Sequence, residues 1–137
     1  MIENINTPLL NKHKIDIGWF YFYENFVIGN VNQGLDLNFD SGKKLYELIQ
    51  HYYEGIKPFT YISQRVNSYS FKPTRIHGVE EYFPNLKGYA IVIYDPVNYK
   101  VAKLEETFTS MPTYVTDDLE DAITWSNKIL SKEEVEE

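Results

Sequence analysis

The chain reads as a single-domain α/β protein on a mixed sheet, with elements in the order β-β-α-β-α-β-α-β-α and helices packed on the sheet. Three observations predict this. An aromatic and β-branched stretch at residues 15–23 is followed at once by a second at 26–31, the mark of an opening hairpin. From residue 40 onward, helical patterns alternate with short apolar runs, which implies a mainly parallel sheet with right-handed crossovers. Six apolar or aromatic residues stand in a row at 89–94, as in a central strand buried on both faces.

Each element has its own local cause. Glu24-Asn25 separates the first two strands, and Asn tolerates the positive φ of a tight two-residue hairpin turn. Gly29 marks a bulge or a close approach of another group to the backbone. Asp40 or Ser41 can cap the first helix, because their side chains accept from the orphan amides of its first turn. Leu45, Leu48, Ile49, Tyr52 and Tyr53 recur at three and four, and Gly55 supplies a stop. Residues 59–62 form a short apolar strand. Pro73 opens a second helix with Ile76, Val79 and Phe83 on one side, and Pro84-Asn85 ends it. The strand at 86–94 follows. Asp95-Pro96 starts a third helix, with Val97, Val101, Leu104 and Phe108 as its buried stripe. Residues 112–116 make the last strand. Asp117-x-x-Glu120 predicts a capping box for the final helix, whose stripe is Leu119, Ala122, Ile123, Ile129 and Leu130. An acidic first turn and a basic end at Lys128 and Lys132 suit its macrodipole.

With 137 residues, the chain has room for one domain with a real core. Residues 1–14 read as a partly ordered leader, 15–130 as the domain and 131–137 as a solvated acidic tail. Aromatic residues make up 16% of the chain and 12 are Tyr, a type that suits shallow cores and interfaces. Cysteine is absent, which excludes disulfides, thiolate catalysis and Cys-based metal sites. No apolar run approaches the ~20 residues a membrane span needs. The first residues lack a basic n-region and an apolar h-region, so no signal peptide is expected and the expected location is cytoplasmic. A net charge of −7 disfavours nucleic acid and anionic membrane surfaces as partners.

His13, His51 and His77 stand far apart with no carboxylate at metal-ligand spacing, so no metal or other cofactor is expected. The chain has no G-x-S-x-G elbow, and a Ser63–His77 pair would need the fold to join them. It has neither a G-x-G-x-x-G nor a Walker motif. Asp117-Asp118 and Glu105-Glu106 read as caps or solvated helix surface.

What remains is the polar loop after the strand at 59–62. In α/β proteins the crevice beyond the carboxyl ends of the strands is where ligands and partners dock. Ser63, Asn67, Ser68 and Ser70 supply hydroxyl and amide groups. Arg65 can grip an anion with two parallel hydrogen bonds, and Tyr69 brings a ring that must pack on something. These six residues are the candidate binding site. The competing explanation is that Ser and Asn here only satisfy the turn's own backbone.

Lys57-Pro58-Phe59-Thr60-Tyr61-Ile62-Ser63 as central strand, Asn85 to Val92 as the next, and Asp118 to Trp125 as the last segment together resemble the SpoIIAA-like group of STAS domains, relatives of bacterial anti-sigma factor antagonists. The resemblance spans residues 15–130 and implies a bacterial, non-enzymatic regulatory domain that binds a protein partner. In the sensing members a phosphorylated Ser lies in an Asp-Ser-Ser-Gly-type turn after the central strand, and its added charge breaks partner binding. Residues 63–74 contain no such motif, so no phosphosite is carried over. A related set resembles the Sec14 lipid-binding fold, which makes a small apolar ligand the alternative. The stretch at 15–23 reads as an edge strand, and an aromatic edge invites pairing into a homodimer.

Overall fold

The computed structural model describes residues 8–31, 36–37, 43–65, 70–71, 83–94, 96–105 and 111–136. Among these, the strands are β1 (Leu9–Ile15), β2 (Gly18–Tyr23), β3 (Phe26–Val31), β4 (Asp36–Leu37), β5 (Phe59–Arg65), β6 (Ser70–Phe71), β7 (Leu86–Ile93) and β8 (Thr113–Thr116). The helices are α1 (Lys43–Tyr53), α2 (Pro96–Glu105) and α3 (Leu119–Glu136). Six strands form one sheet in the order β1-β2-β3-β5-β7-β8, and β4 pairs with β6. Neighbours among β1, β2 and β3 are antiparallel, while β3, β5, β7 and β8 are parallel. The expected mixed α/β sheet is thus observed. The helix expected from Pro73 lies outside the described residues.

Residues 15–23 are not one strand. The chain turns at Asp16-Ile17, so that Ile15 pairs with Gly18. Gly18 sits at φ 151°, a conformation that side chains rarely adopt. The new first strand occupies residues assigned above to a leader. Its His13 Nε2 lies 2.7 Å from the Tyr52 hydroxyl on α1. The sheet edge is therefore β1, and β2 lies inside. At the next hairpin, the Phe22–Val27 pairing leaves a two-residue turn at Glu24-Asn25, as expected. Positive φ is not used there: among the described non-glycine residues, only Glu54 has it.

The sheet is covered on both faces. On one face, Leu45, Ile49 and Tyr53 of α1 pack on Phe20, Phe22, Val27 and Phe59. Farther along that face, Ala102 of α2 packs with Tyr89, Ile91, Ile93 and Val115. On the other face, Leu119, Ala122 and Ile123 of α3 cover Phe26, Ile28, Ile62, Ala90 and Val92. Period-two alternation sorts the strand residues between these layers. Leu104, expected in the buried stripe of α2, is exposed instead.

Helix ends follow local chemistry. α1 stops as Glu54 (φ 53°) and then Gly55 (φ 68°) enter the left-handed region. The amides of Ile56 and Lys57 then donate to the Tyr53 carbonyl at 3.1 and 3.0 Å. Gly55 is the expected stop, but Glu54 shares the strain. Glu54→Gly is expected to stabilise the protein by about 0.5–1 kcal/mol, because it relieves a left-handed Cβ clash. A urea titration comparing the two midpoints checks this.

The α3 cap is shifted by one residue from the expected Asp117 box. Asp118 Oδ1 accepts from the Glu120 amide at 3.1 Å. Asp121 Oδ2 accepts from Thr116 Oγ1 at 2.9 Å and Tyr114 Oη at 2.6 Å, tying the helix start to β8. That hydrogen bond to a carboxylate raises the Tyr114 phenol above its ordinary pKa. The helix continues to Glu136, through residues taken above as tail, and its last turn holds no basic residue.

Candidate functional site

β5 is longer than its apolar core. The predicted strand at 59–62 continues through Ser63, Gln64 and Arg65, all three buried. Their parallel neighbours on β7 are Ile91, Val92 and Ile93. Polar groups in such surroundings must find hydrogen-bond partners or lose several kcal/mol of hydration, on the order of 1–3 by mutational measures. They find them on both faces of the sheet.

On the face shared with α1 and α2, the Arg65 side chain turns back over the sheet. Its Nε donates to Ser63 Oγ at 3.1 Å and its Nη2 to Tyr89 Oη at 2.9 Å. The Tyr89 ring stacks on Tyr61, with centroids 5.9 Å apart and planes at 21°. Tyr61 in turn lies against Gly29 of β3, where a side chain would collide with its hydroxyl. Gly29 therefore marks a close approach, one of the two roles expected for it. On the α3 face, Asn30 Nδ2 donates to Gln64 Oε1 at 2.9 Å. Gln64 Nε2 donates onward to Tyr94 Oη at 3.1 Å, and Tyr94 is exposed.

Together these contacts make the carboxyl ends of β3, β5 and β7 a polar rim. Asp36 and Leu37 of β4 pair in parallel with Ser70 and Phe71 of β6. That short ladder joins the segment after β3 to the segment after β5.

Of the six candidate residues, Ser63 and Arg65 are brought together, in the strand rather than in the loop. Ser70 lies in β6 by its backbone. Asn67, Ser68 and Tyr69 lie outside the described residues, as does His77. Gln64, Asn30, Tyr89 and Tyr94 belong to the rim and were missed. The available signal was a tyrosine at each end of the apolar run 89–94, because a buried Tyr hydroxyl usually needs a partner.

Ser63 Oγ accepts from the Arg65 guanidinium, a group that is a donor and not itself a base. Among the described residues, no group of three or more His, Asp or Glu side chains is placed to hold a metal ion. No described helix is long and apolar enough to cross a membrane.

No family model matches this chain, and no curated protein matches it. Among solved structures, it is similar to an uncharacterized protein of the DUF3478 family from Shewanella loihica PV-4, which has a SpoIIAA-like fold. The TM-score is 0.57 at 11% sequence identity, covering 87% of this chain and 92% of the other. The fold of the present chain is SpoIIAA-like.

Proposed function

We propose that this protein is a non-enzymatic regulatory domain of the bacterial cytoplasm that docks a protein partner through the segment following β5. One observation carries the reading. The last three residues of the central strand are polar and buried, whereas their β7 neighbours Ile91, Val92 and Ile93 are apolar. Side chains bonded on both faces of the sheet fix where the chain leaves the strand. A segment held in place at its root costs less ordering entropy on binding. The resemblance to SpoIIAA-like STAS domains supports the same location for partner contact.

The alternative, a small apolar ligand, was motivated by the aromatic share. Much of that share is spent on the core, where rings pack on rings: Tyr53 on Phe59 at 4.4 Å and Phe22 on Tyr52 at 4.5 Å. Partner docking is therefore the preferred reading.

Photo-crosslinking in cells tests it. A benzophenone amino acid is placed at position 69, and in a second protein at position 56. Ile56 is 83% exposed and lies before β5, at the opposite end of the strand. The expected result is a discrete adduct from position 69 only, reduced several-fold by Arg65→Ala in protein that keeps a cooperative thermal transition. The same adducts from both positions would remove the strand end as the docking site.

A further inference from the structure

We propose that the outer edge of β1 binds an extended peptide segment, alternating acidic and apolar residues, as an added strand. Among the described residues β1 is the last strand of the sheet, seven residues long. Its outer backbone groups have no strand neighbour among these residues, and the outward Lys12 amide donates only locally, to Asn11 Oδ1 at 2.9 Å, a bond that an added strand would replace. Only another peptide in extended form can pair with a row of N–H and C=O groups.

Charge specifies which peptide. β1 and β2 together carry Lys12 and Lys14 and no carboxylate, in a chain whose net charge is −7. In the β1–β2 register, Lys12 stands opposite Tyr21 and Lys14 opposite Trp19, so both lysines share one face of the sheet. Both ammonium groups lie near the Trp19 ring, 5.7 and 5.9 Å from its centroid. That interaction leaves their hydrogen-bonding capacity to solvent, since a ring face takes no directed hydrogen bond comparable to a carboxylate. Trp19 is 37% exposed and Leu10 54% exposed, so the same edge offers apolar contact at its start and on this face.

An added strand would run about 4.8 Å away and point alternate side chains to the lysine face. Acidic residues at those positions meet Lys12 and Lys14 as cross-strand opposite-charge pairs. A second copy of β1 paired symmetrically about residues 12–14 would instead bring lysines against lysines. In that register the edge repels its own kind and accepts an acidic strand, which is specificity by repulsion as well as attraction.

The test uses the full chain and a fluorescein-labelled heptapeptide of alternating valine and glutamate. The expected result is saturable binding, with slowed hydrogen exchange confined to the amides of residues 9–15. Lys12→Glu/Lys14→Glu is expected to lower affinity at least tenfold, and N-methylation of alternate peptide amides should abolish binding. Both lysines are exposed, and a circular dichroism spectrum confirms that the variant folds. Four outcomes would overturn the proposal: no binding; unchanged binding by the N-methylated peptide; equal or tighter binding of poly(U) or phosphatidylserine vesicles; or a dimer joined through β1.

Discussion

Alanine at Tyr53 is expected to destabilise the protein by about 4 kcal/mol, in the range of large aromatic truncations in a core. Tyr53 is buried in α1 and its ring lies flat on Phe59, at 4.4 Å and 2°. Its hydroxyl is 2.8 Å from the carbonyl oxygens of both Tyr23 and Phe26, the residues that flank the β2–β3 turn. One side chain thus closes the hairpin, the helix and the start of the central strand on one another. Tyr53→Phe keeps the stacking but strips those carbonyls of their donor, and is expected to cost about 1–2 kcal/mol.

The same burial makes stability pH-dependent. Desolvation raises the Tyr53 pKa far above its ordinary value of 10.0. Below pH 10 the phenol is protonated whether the chain is folded or not, so it adds no pH dependence at neutrality. Above pH 10 the unfolded chain loses this proton while the folded protein keeps it. The unfolded state then binds fewer protons, and stability falls as pH rises, by at most about 1.4 kcal/mol per pH unit for this group. Tyr23, also raised by burial, adds to the slope. Urea midpoints at pH 8 and pH 10.5 measure the fall. The decline should be shallower in Tyr53→Phe than in wild type, and equal declines would remove Tyr53 as the cause.

Sequence pattern located the buried elements because their signals are local. The run 89–94 implies a strand covered on both faces, and β7 fills that role up to Ile93. The i, i+3, i+4 spacing of Leu45, Ile49 and Tyr53 likewise fixed the inner face of α1. Misses arose where one signal hid another. Ile17 is buried inside the first turn, so apolar residues on both sides of Asp16 concealed the break between β1 and β2. Lys12, His13 and Lys14 look like a polar leader because an edge strand exposed on one side need not be apolar. At the site, the polar letters Ser63, Gln64 and Arg65 resembled the start of a loop. They are strand residues whose partners, Tyr89, Tyr94 and Asn30, come from β7, the residue just after it and β3, and no single-chain pattern shows that pairing. Gly29 was legible as a close approach, but the approaching group, Tyr61, was not.

Valine at Gly29 is expected to cost about 3 kcal/mol, against the ordinary preference of strands for β-branched residues. A Cβ there would stand 2.0 Å from Tyr61 Oη, 2.8 Å from Tyr61 Cζ and 3.0 Å from Phe20 Cε1. Two effects favour the larger residue: strand propensity, and a less flexible unfolded chain worth about 0.4–1 kcal/mol. The clash outweighs both, because Phe20 is fully buried and Tyr61 is backed by Tyr89. A double-mutant cycle isolates the cause. Gly29→Ala should be clearly destabilising alone and nearly neutral in a Tyr61→Ala background, and additive costs would mean that Tyr61 is not what Gly29 accommodates. The consequence extends to the strand end. Displacing Tyr61 shifts the ring it stacks on, and the hydroxyl of that ring, on Tyr89, is what Arg65 Nη2 grips. Gly29→Ala is therefore expected to weaken crosslinking from position 69 by several-fold at temperatures where the protein remains folded, although residue 29 is itself buried. A crosslinking yield that tracks only the folded fraction would uncouple this aromatic relay from the docking site.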